Sequence, residues 1–301
     1  MTASTSTSSS TSTAGDKAAV LIEALPYIRR FRHSVVVVKY GGSALVGPPG
    51  GAAQADPNLA AFAQDVALLH AVGLRLVVVH GGGPQIGDLM RRLGKVPEFI
   101  DGLRVTDAET LDIARMVLVG KVNRDIVAAL NVHGPLAVGV SGEDAGMLQA
   151  SARAPELGFV GDVSAVDPGI LVRLLAEDLV PVVATIGADS VGQSYNINAD
   201  TAAGALALAL RAEKLVYLTD VEGIRRDVTD AATLLHRVSV DELDRLVADG
   251  VITEGMVPKV ASCVAAVKGG VGQAHVLDGR VPHALLLEIF TQAGVGTMVT
   301  P

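Results

Sequence analysis

Six short runs of apolar, largely β-branched residues punctuate the chain, at 35–38, 76–79, 137–140, 180–183, 215–218 and 274–277. Within the runs, His275 apart, consecutive positions are apolar, the pattern of a strand covered on both faces. Between the runs lie amphipathic segments of helical length, among them 59–71, 108–130, 201–211 and 260–268. This alternation predicts an α/β fold, a three-layer αβα sandwich around a central, mostly parallel sheet. Ligands of such sheets sit beyond the carboxyl ends of the strands, so the loops that follow the runs are where chemistry is sought.

A further amphipathic segment, 17–32, precedes the first strand, with Leu21, Leu25 and Ile28 on one stripe and Pro26 inside it. Proline removes a backbone donor and predicts a kink. The stripe either packs on its own lobe or docks onto another subunit. The Ser/Thr-rich stretch 1–16 holds too little apolar surface to offset its ordering entropy and reads as a disordered tail. It also lacks the basic start and apolar run of a signal peptide.

Composition narrows the function. Half of the 301 residues are hydrophobic, enough for a sizeable core. The net charge of −8, without any basic block, gives no footprint for nucleic acid or an anionic membrane surface. No apolar stretch approaches the roughly 20 residues that cross a bilayer. Cys263 is the only cysteine, which suits a reducing, cytoplasmic setting and excludes a disulfide framework.

Two runs end in glycine clusters, Lys39-Tyr40-Gly41-Gly42-Ser43 and His80-Gly81-Gly82-Gly83-Pro84. Glycine lets backbone N–H groups approach an anion without an intervening Cβ, and a helix starting just beyond adds its positive dipole end. A tight turn would also use glycine. Two clusters, one directly after a lysine, favour phosphate or carboxylate binding. Commoner signatures are missing: no G-x-x-x-x-G-K-[ST] loop occurs, Ile86 stands where G-x-G-x-x-G needs its last glycine, and there is no G-x-S-x-G or H-E-x-x-H.

Lys39 ends an apolar strand, where a charge is costly unless an anion meets it; a lysine stretching to solvent is the alternative. Downstream, Thr253 can cap a turn and Pro258 can open a helix, which puts Lys259 in the first helical turn. A cation beside a helix N-terminus is disfavoured unless an anion sits between them, so Lys259 is either an anion ligand or a solvated surface residue. In Asn196-Ile197-Asn198-Ala199-Asp200, Asn198 or Asp200 serves as N-cap to an alanine-rich helix, or Asp200 orients two lysines while the asparagines bind substrate. Arg104 offers a planar fork for a carboxylate, or an ordinary surface salt bridge. Residues 220–224 make a nucleotide-contacting loop or a plain Asp/Gly turn.

Taken in order, the segments KYGGSAL, HGGGPQI, DGLRVTD, GFVGDV, YNINADTAAGALA, YLTDVEGI, EGMVPKV and HALLLEIFT resemble the amino-acid kinase family. They are most similar to its arginine-pathway members that phosphorylate N-acetyl-L-glutamate. The resemblance runs from about residue 35 to the carboxyl end. It implies an acyl-amino-acid-binding lobe over 35–211 and an ATP-binding lobe over 212–301, preceded by a helix over 17–34. Gly82, Gly83, Arg104 and Asn196, with Asn198 nearby, are implied to hold N-acetyl-L-glutamate. Asp220, Val221, Glu222, Gly223, Ile224 and Arg225, with Val251, Ile252 and Thr253, are implied to contact ATP, which arrives with Mg²⁺. Lys39 and Lys259 would stabilise the transferred phosphoryl group, assisted by Gly42 and organised by Asp200. The extra helix and HALLLEIFT resemble features of arginine-inhibited members, implying a homo-oligomer (dimer or hexamer) with Tyr27 and Glu288 as contacts for L-arginine.

The chemistry agrees with that assignment. A side-chain carboxylate is already ionised at neutral pH, so it needs no general base to act as nucleophile. The obstacle is repulsion between anions, which two lysines, glycine N–H groups and Mg²⁺ offset. Rival readings are a kinase of the same family acting on glutamate, aspartate, carbamate or UMP, and a non-catalytic arginine sensor with the same fold.

Overall fold

Each of the six apolar runs forms a strand of one eight-stranded sheet. The computed structural model describes residues 14–41, 56–227, 229–252, 256–291 and 294–301. Residues 1–13 of the expected tail, Gly42 and Thr253 lie outside them. In chain order the elements are α1 (Ala14–Phe31), β1 (Val35–Tyr40), α2 (Pro57–Ala71), β2 (Arg75–His80), α3 (Gly83–Arg92), β3 (Phe99–Ile100), β4 (Leu103–Arg104) and α4 (Ala108–Arg115). A π-helical stretch, Met116–Val122, then joins α4 to α5 (Asn123–Asn131). There follow β5 (Ala137–Ser141), β6 (Leu148–Ala152), β7 (Val160–Val166), α6 (Gly169–Ala176), β8 (Val180–Ala184), β9 (Ile186–Ala188), β10 (Ser194–Ile197) and α7 (Ala199–Ala209). The carboxyl-terminal part holds β11 (Lys214–Thr219), β12 (Arg237–Ser239), α8 (Val240–Ala248), α9 (Val257–Lys268), β13 (Gln273–Asp278), α10 (Ala284–Phe290) and β14 (Thr297–Thr300).

The main sheet runs β12-β14-β13-β11-β1-β2-β8-β5, parallel throughout except where β13 meets β14. β1 sits at the switch point: β2, β8 and β5, all before residue 185, spread to one side and β11 to β14 to the other. The side chains of β1 alternate between two cores. Val36, Val38 and Tyr40 pack with α2, α5 and α10, whereas Val37 points to the face that carries α6, α7, α8 and α9. By the two-residue period of a strand, Lys39 falls on the face of α7 and α9. Lys214 and His275 fall on the opposite face by the same rule, with α1 and α10.

Three elements depart from expectation. α1 continues through Pro26 to Phe31, and Leu21 of its apolar stripe is 70% exposed while Tyr27 and Phe31 pack inward. β10, β7, β6 and β9 form a small closed four-stranded sheet that the apolar runs did not announce, because its strands are short and mix exposed with buried positions. The β3–β4 hairpin is likewise two residues per strand and largely exposed.

The small sheet is tied to the segment before α4 by backbone bonds. Thr106 N donates to Leu157 O at 3.0 Å and Phe159 N donates to Thr106 O at 2.7 Å. Gly158 between them has φ +65°, and a Cβ there would lie 2.4 Å from Thr106 O. Gly158→Ala is expected to destabilise the fold by about 1–3 kcal/mol from backbone strain, with the clash adding to it, as measured by urea unfolding.

Candidate functional site

Lys39 is embedded mid-sheet, paired in register with Val79 on one side and Tyr217 on the other, and is 8% exposed. A buried ammonium needs an anion. Asp200 supplies it from the first turn of α7, with Lys39 Nζ 2.9 Å from Oδ1. Lys259, in the first turn of α9, donates to the other oxygen, Oδ2, at 3.0 Å. Burial opposes ionisation of Asp200, and the two ammonium groups outweigh it, holding the carboxyl below the usual carboxylate range. Asn198 caps α7: its Oδ1 accepts from Asp200 N at 2.9 Å and Thr201 N at 3.1 Å. The cap leaves the Asp200 carboxylate to the lysines. Tyr217 Oη donates to Asp200 O at 3.3 Å and braces it from β11.

Two clefts open beyond the strand ends, and Lys39 of the triad lines the first. The first, of about 1000 Å³, lies beyond the carboxyl ends of β1, β2 and β8; it includes Lys39, Gly82, Gly83, Arg104, Asn196 and Asn198. The second, of about 720 Å³, lies beyond β11 and β13 and is lined by all of Asp220–Arg225 together with Val251, Ile252, Met256 and Arg280. Every described residue expected to bind substrate or nucleotide thus lines one cleft or the other. α3 begins at Gly83 and α7 at Ala199, both on the first cleft, and α9 begins beside Met256 on the second. Three helix N-termini and two lysines make this junction strongly favourable for anions.

Arg104 does not form the surface salt bridge that its isolation suggested. Nη2 donates to Gly83 O at 2.8 Å, Nη1 lies 3.3 Å from Met90 Sδ, and the guanidinium stacks 4.8 Å from the Phe99 ring centroid. Burial, with Arg91 nearby, lowers its pKa from the ordinary value. The fork is oriented by the chain's own groups and faces an open cleft, an arrangement fit for a carboxylate.

Several contributors were missed from sequence. His80 is fully buried; its Nδ1 lies 3.0 Å from Gly81 O and its Nε2 3.1 Å from Asn123 Nδ2. A carbonyl only accepts and an amide NH₂ only donates, so this histidine is neutral with its proton on Nδ1. Burial pushes its pKa down to about 4, the Arg124 charge adding to that and the Gly81 carbonyl opposing it. The ring anchors the first glycine of the loop. Gly82 is equally constrained, since a Cβ would meet Leu118 Cδ2 at 2.8 Å. Arg280 entered the second cleft unannounced, clamping Asp278 with two bonds of 2.9 and 2.8 Å. Cys263 is buried and its thiol pushed up to about 12, which removes it as a nucleophile at neutral pH.

The sequence profile of the amino acid kinase family matches residues 34–278. The chain belongs to that family. A curated amino acid kinase relative, the acetylglutamate kinase of Symbiobacterium thermophilum, is 54% identical over 293 residues, covering 94% of this chain and 97% of its own length. Among solved structures, the N-acetylglutamate synthase of Neisseria gonorrhoeae complexed with coenzyme A and N-acetyl-glutamate superimposes with a TM-score of 0.81 at 30% identity, over 94% of this chain. The same synthase complexed with coenzyme A and L-arginine gives 0.79 at 30% identity, again over 94% of this chain. This chain spans 63% and 65% of those two synthase chains.

The neutral His80 makes a pH prediction. Its folded pKa lies below the ordinary 6.5, so between about pH 6.5 and 4 the unfolded chain binds a proton that the folded one refuses, and stability rises with pH. The slope is up to about 1.4 kcal/mol per pH unit. Urea unfolding across this window should show the rise, and His80→Gln should flatten it.

Proposed function

We propose that this chain transfers the γ-phosphoryl group of MgATP directly to the side-chain carboxylate of N-acetyl-L-glutamate, giving N-acetyl-L-glutamyl 5-phosphate in arginine biosynthesis. The observation that carries this reading is the pairing of Lys39 and Lys259 with the one carboxylate of Asp200, together with two clefts that each collect the residues expected for one substrate. The acetylglutamate kinase relatives, matched over nearly their full length, support the choice of acceptor.

Arg104 and Asn196 hold the acyl amino acid in the first cleft, with its side-chain carboxylate directed at the N-termini of α3 and α7. That carboxylate is ionised at neutral pH and attacks without a general base. The second cleft takes the nucleotide against residues 220–225 and 251–252. Charge on the phosphoryl oxygens in flight meets Lys39 from one side and Lys259 from the other, so their help is greatest in the transition state. Asp200 keeps two like charges close together before any substrate arrives. Mg²⁺ arrives on the nucleotide phosphates, which supply oxygen ligands suited to it.

Regulation by L-arginine fits a second polar cluster, on the other face of the sheet. Lys214 Nζ lies 2.8 Å from Gln273 Oε1 and 3.0 Å from His275 Nε2, and His275 Nδ1 lies 2.6 Å from Glu288 Oε1. An ammonium only donates, so His275 is neutral with its proton on Nδ1, from which it donates a hydrogen bond to Glu288. Glu288 belongs to α10, Tyr27 of α1 packs on the same face of the sheet, and a buried carboxylate there suits a guanidinium ligand. Assembly into a homo-oligomer fits the exposed Val20, Leu21, Ile22 and Leu25 of α1. No helix among the described residues is long and apolar enough to cross a membrane; a cytoplasmic location is part of this reading.

Incubation with MgATP, N-acetyl-L-glutamate and hydroxylamine should yield the hydroxamate of the acyl phosphate; no product from this or a related acid would overturn the activity. Lys39→Ala and Lys259→Ala should each lower kcat about 10²-fold or more while leaving the affinity for N-acetyl-L-glutamate nearly unchanged, as single-turnover and binding measurements would show. L-Arginine should raise the Tm and inhibit turnover, and Glu288→Gln should abolish both responses; a wild-type protein indifferent to arginine would remove the regulatory claim.

A further inference from the structure

Thr106 is fully buried behind the acyl-amino-acid cleft and touches both residues assigned to bind the acceptor. Its Oγ1 donates to Arg104 O at 2.8 Å. The same oxygen lies 3.4 Å from Asn196 Nδ2. A hydroxyl has one proton, and here the carbonyl of Arg104 takes it. What remains on Oγ1 are lone pairs, which accept only. Asn196 must therefore turn its NH₂ group toward Thr106, and its Oδ1 is left to face the cleft. The backbone enforces the same juxtaposition: Phe159 N donates to Thr106 O at 2.7 Å, while Asn196 N donates to Phe159 O at 2.9 Å. One residue of β7's approach thus holds both partners, and Gly158 lets the chains come this close.

We infer that Thr106 is a positioning residue that fixes the amide orientation of Asn196, so that the site presents a hydrogen-bond acceptor to the N–H of an N-acyl amino acid. The inference rests on the proposed reading of this cleft as the acceptor site. Arg104 beside it supplies donors for the α-carboxylate, so the two side chains read the two polar groups on the substrate's α-carbon with opposite polarity. An amide that could turn freely would offer its NH₂ as readily and lose the distinction.

The test compares N-acetyl-L-glutamate with 2-acetoxyglutarate, in which oxygen replaces the N–H. The wild type should favour the amide in kcat/KM by about tenfold or more, because the ester sets a lone pair against Oδ1. Thr106→Val keeps the shape but removes the hydroxyl; it should bring the preference to within about threefold of unity, chiefly through KM of the acceptor, with KM for ATP unchanged. Thr106→Ser should retain the wild-type preference. If Thr106→Val fails to fold, Thr106→Ala carries the same readout. A variant weakened equally on both compounds, a preference unchanged by removal of the hydroxyl, or a serine variant that loses it would each overturn the inference. A wild type active on N-acetyl-L-glutamate but lacking the preference overturns it too; a wild type inactive on both compounds overturns instead the function on which it rests.

Discussion

Two ammonium groups converge on one buried carboxylate, and most of the site follows from that contact. Lys39 and Lys259 repel each other, and a site that needs both close together must supply a shared anion before the substrates do. Asp200 is that anion, and its burial makes the arrangement stiff, because a carboxylate removed from water tolerates the loss of a counter-ion poorly. The triad also joins distant parts of the chain: β1 from the beginning, α7 from the middle and α9 from the later half. Any separation of the two halves of the sheet would leave Asp200 with a single cation. The closed junction is thus favoured by the protein's own charges.

The surroundings use neutral groups to the same end. A protonated His80 would add positive charge behind the glycine loop, but burial and Asn123 keep it neutral, and it acts as a bracket for Gly81. The helix ends supply positive potential through backbone N–H groups, which cannot titrate. Attraction for anionic substrates thus rests on groups whose charge is nearly constant across the physiological range.

Much of this was legible in the sequence, and the gaps have physical reasons. The six strands were visible because most of their positions on both faces are buried, so that among the runs only His275 interrupts the apolar sequence. Lys39 stood out as a charge at the end of such a run, beside glycines. Asp200 and Asn198 could not be told apart as caps, since both residue types favour that position; the structure gives the cap to Asn198 and frees Asp200. His80 was visible in its loop, but its role depends on Asn123, 43 positions away. The Thr106–Asn196 contact spans 90 positions. Local pattern carries no record of such meetings. The small second sheet escaped because its strands are short and half exposed, so neither a continuous apolar run nor a clean alternation marks them.

The alternation of β1 between two cores gives its register a chemical meaning. Val37 and Lys39 face α7 and α9, while Val36, Val38 and Tyr40 face the other layer, where Tyr40 stacks on Phe62 at 4.2 Å. A slip of one residue against β2 and β11 would exchange the two sets. It would drive a lysine into the aromatic layer and leave Asp200 facing a phenol, with Lys259 as its one remaining cation. The error that ruins the packing of the core therefore also removes one of the two cations that hold the Asp200 carboxylate. Correct pairing of the central strand and assembly of the buried charge cluster are one structural event.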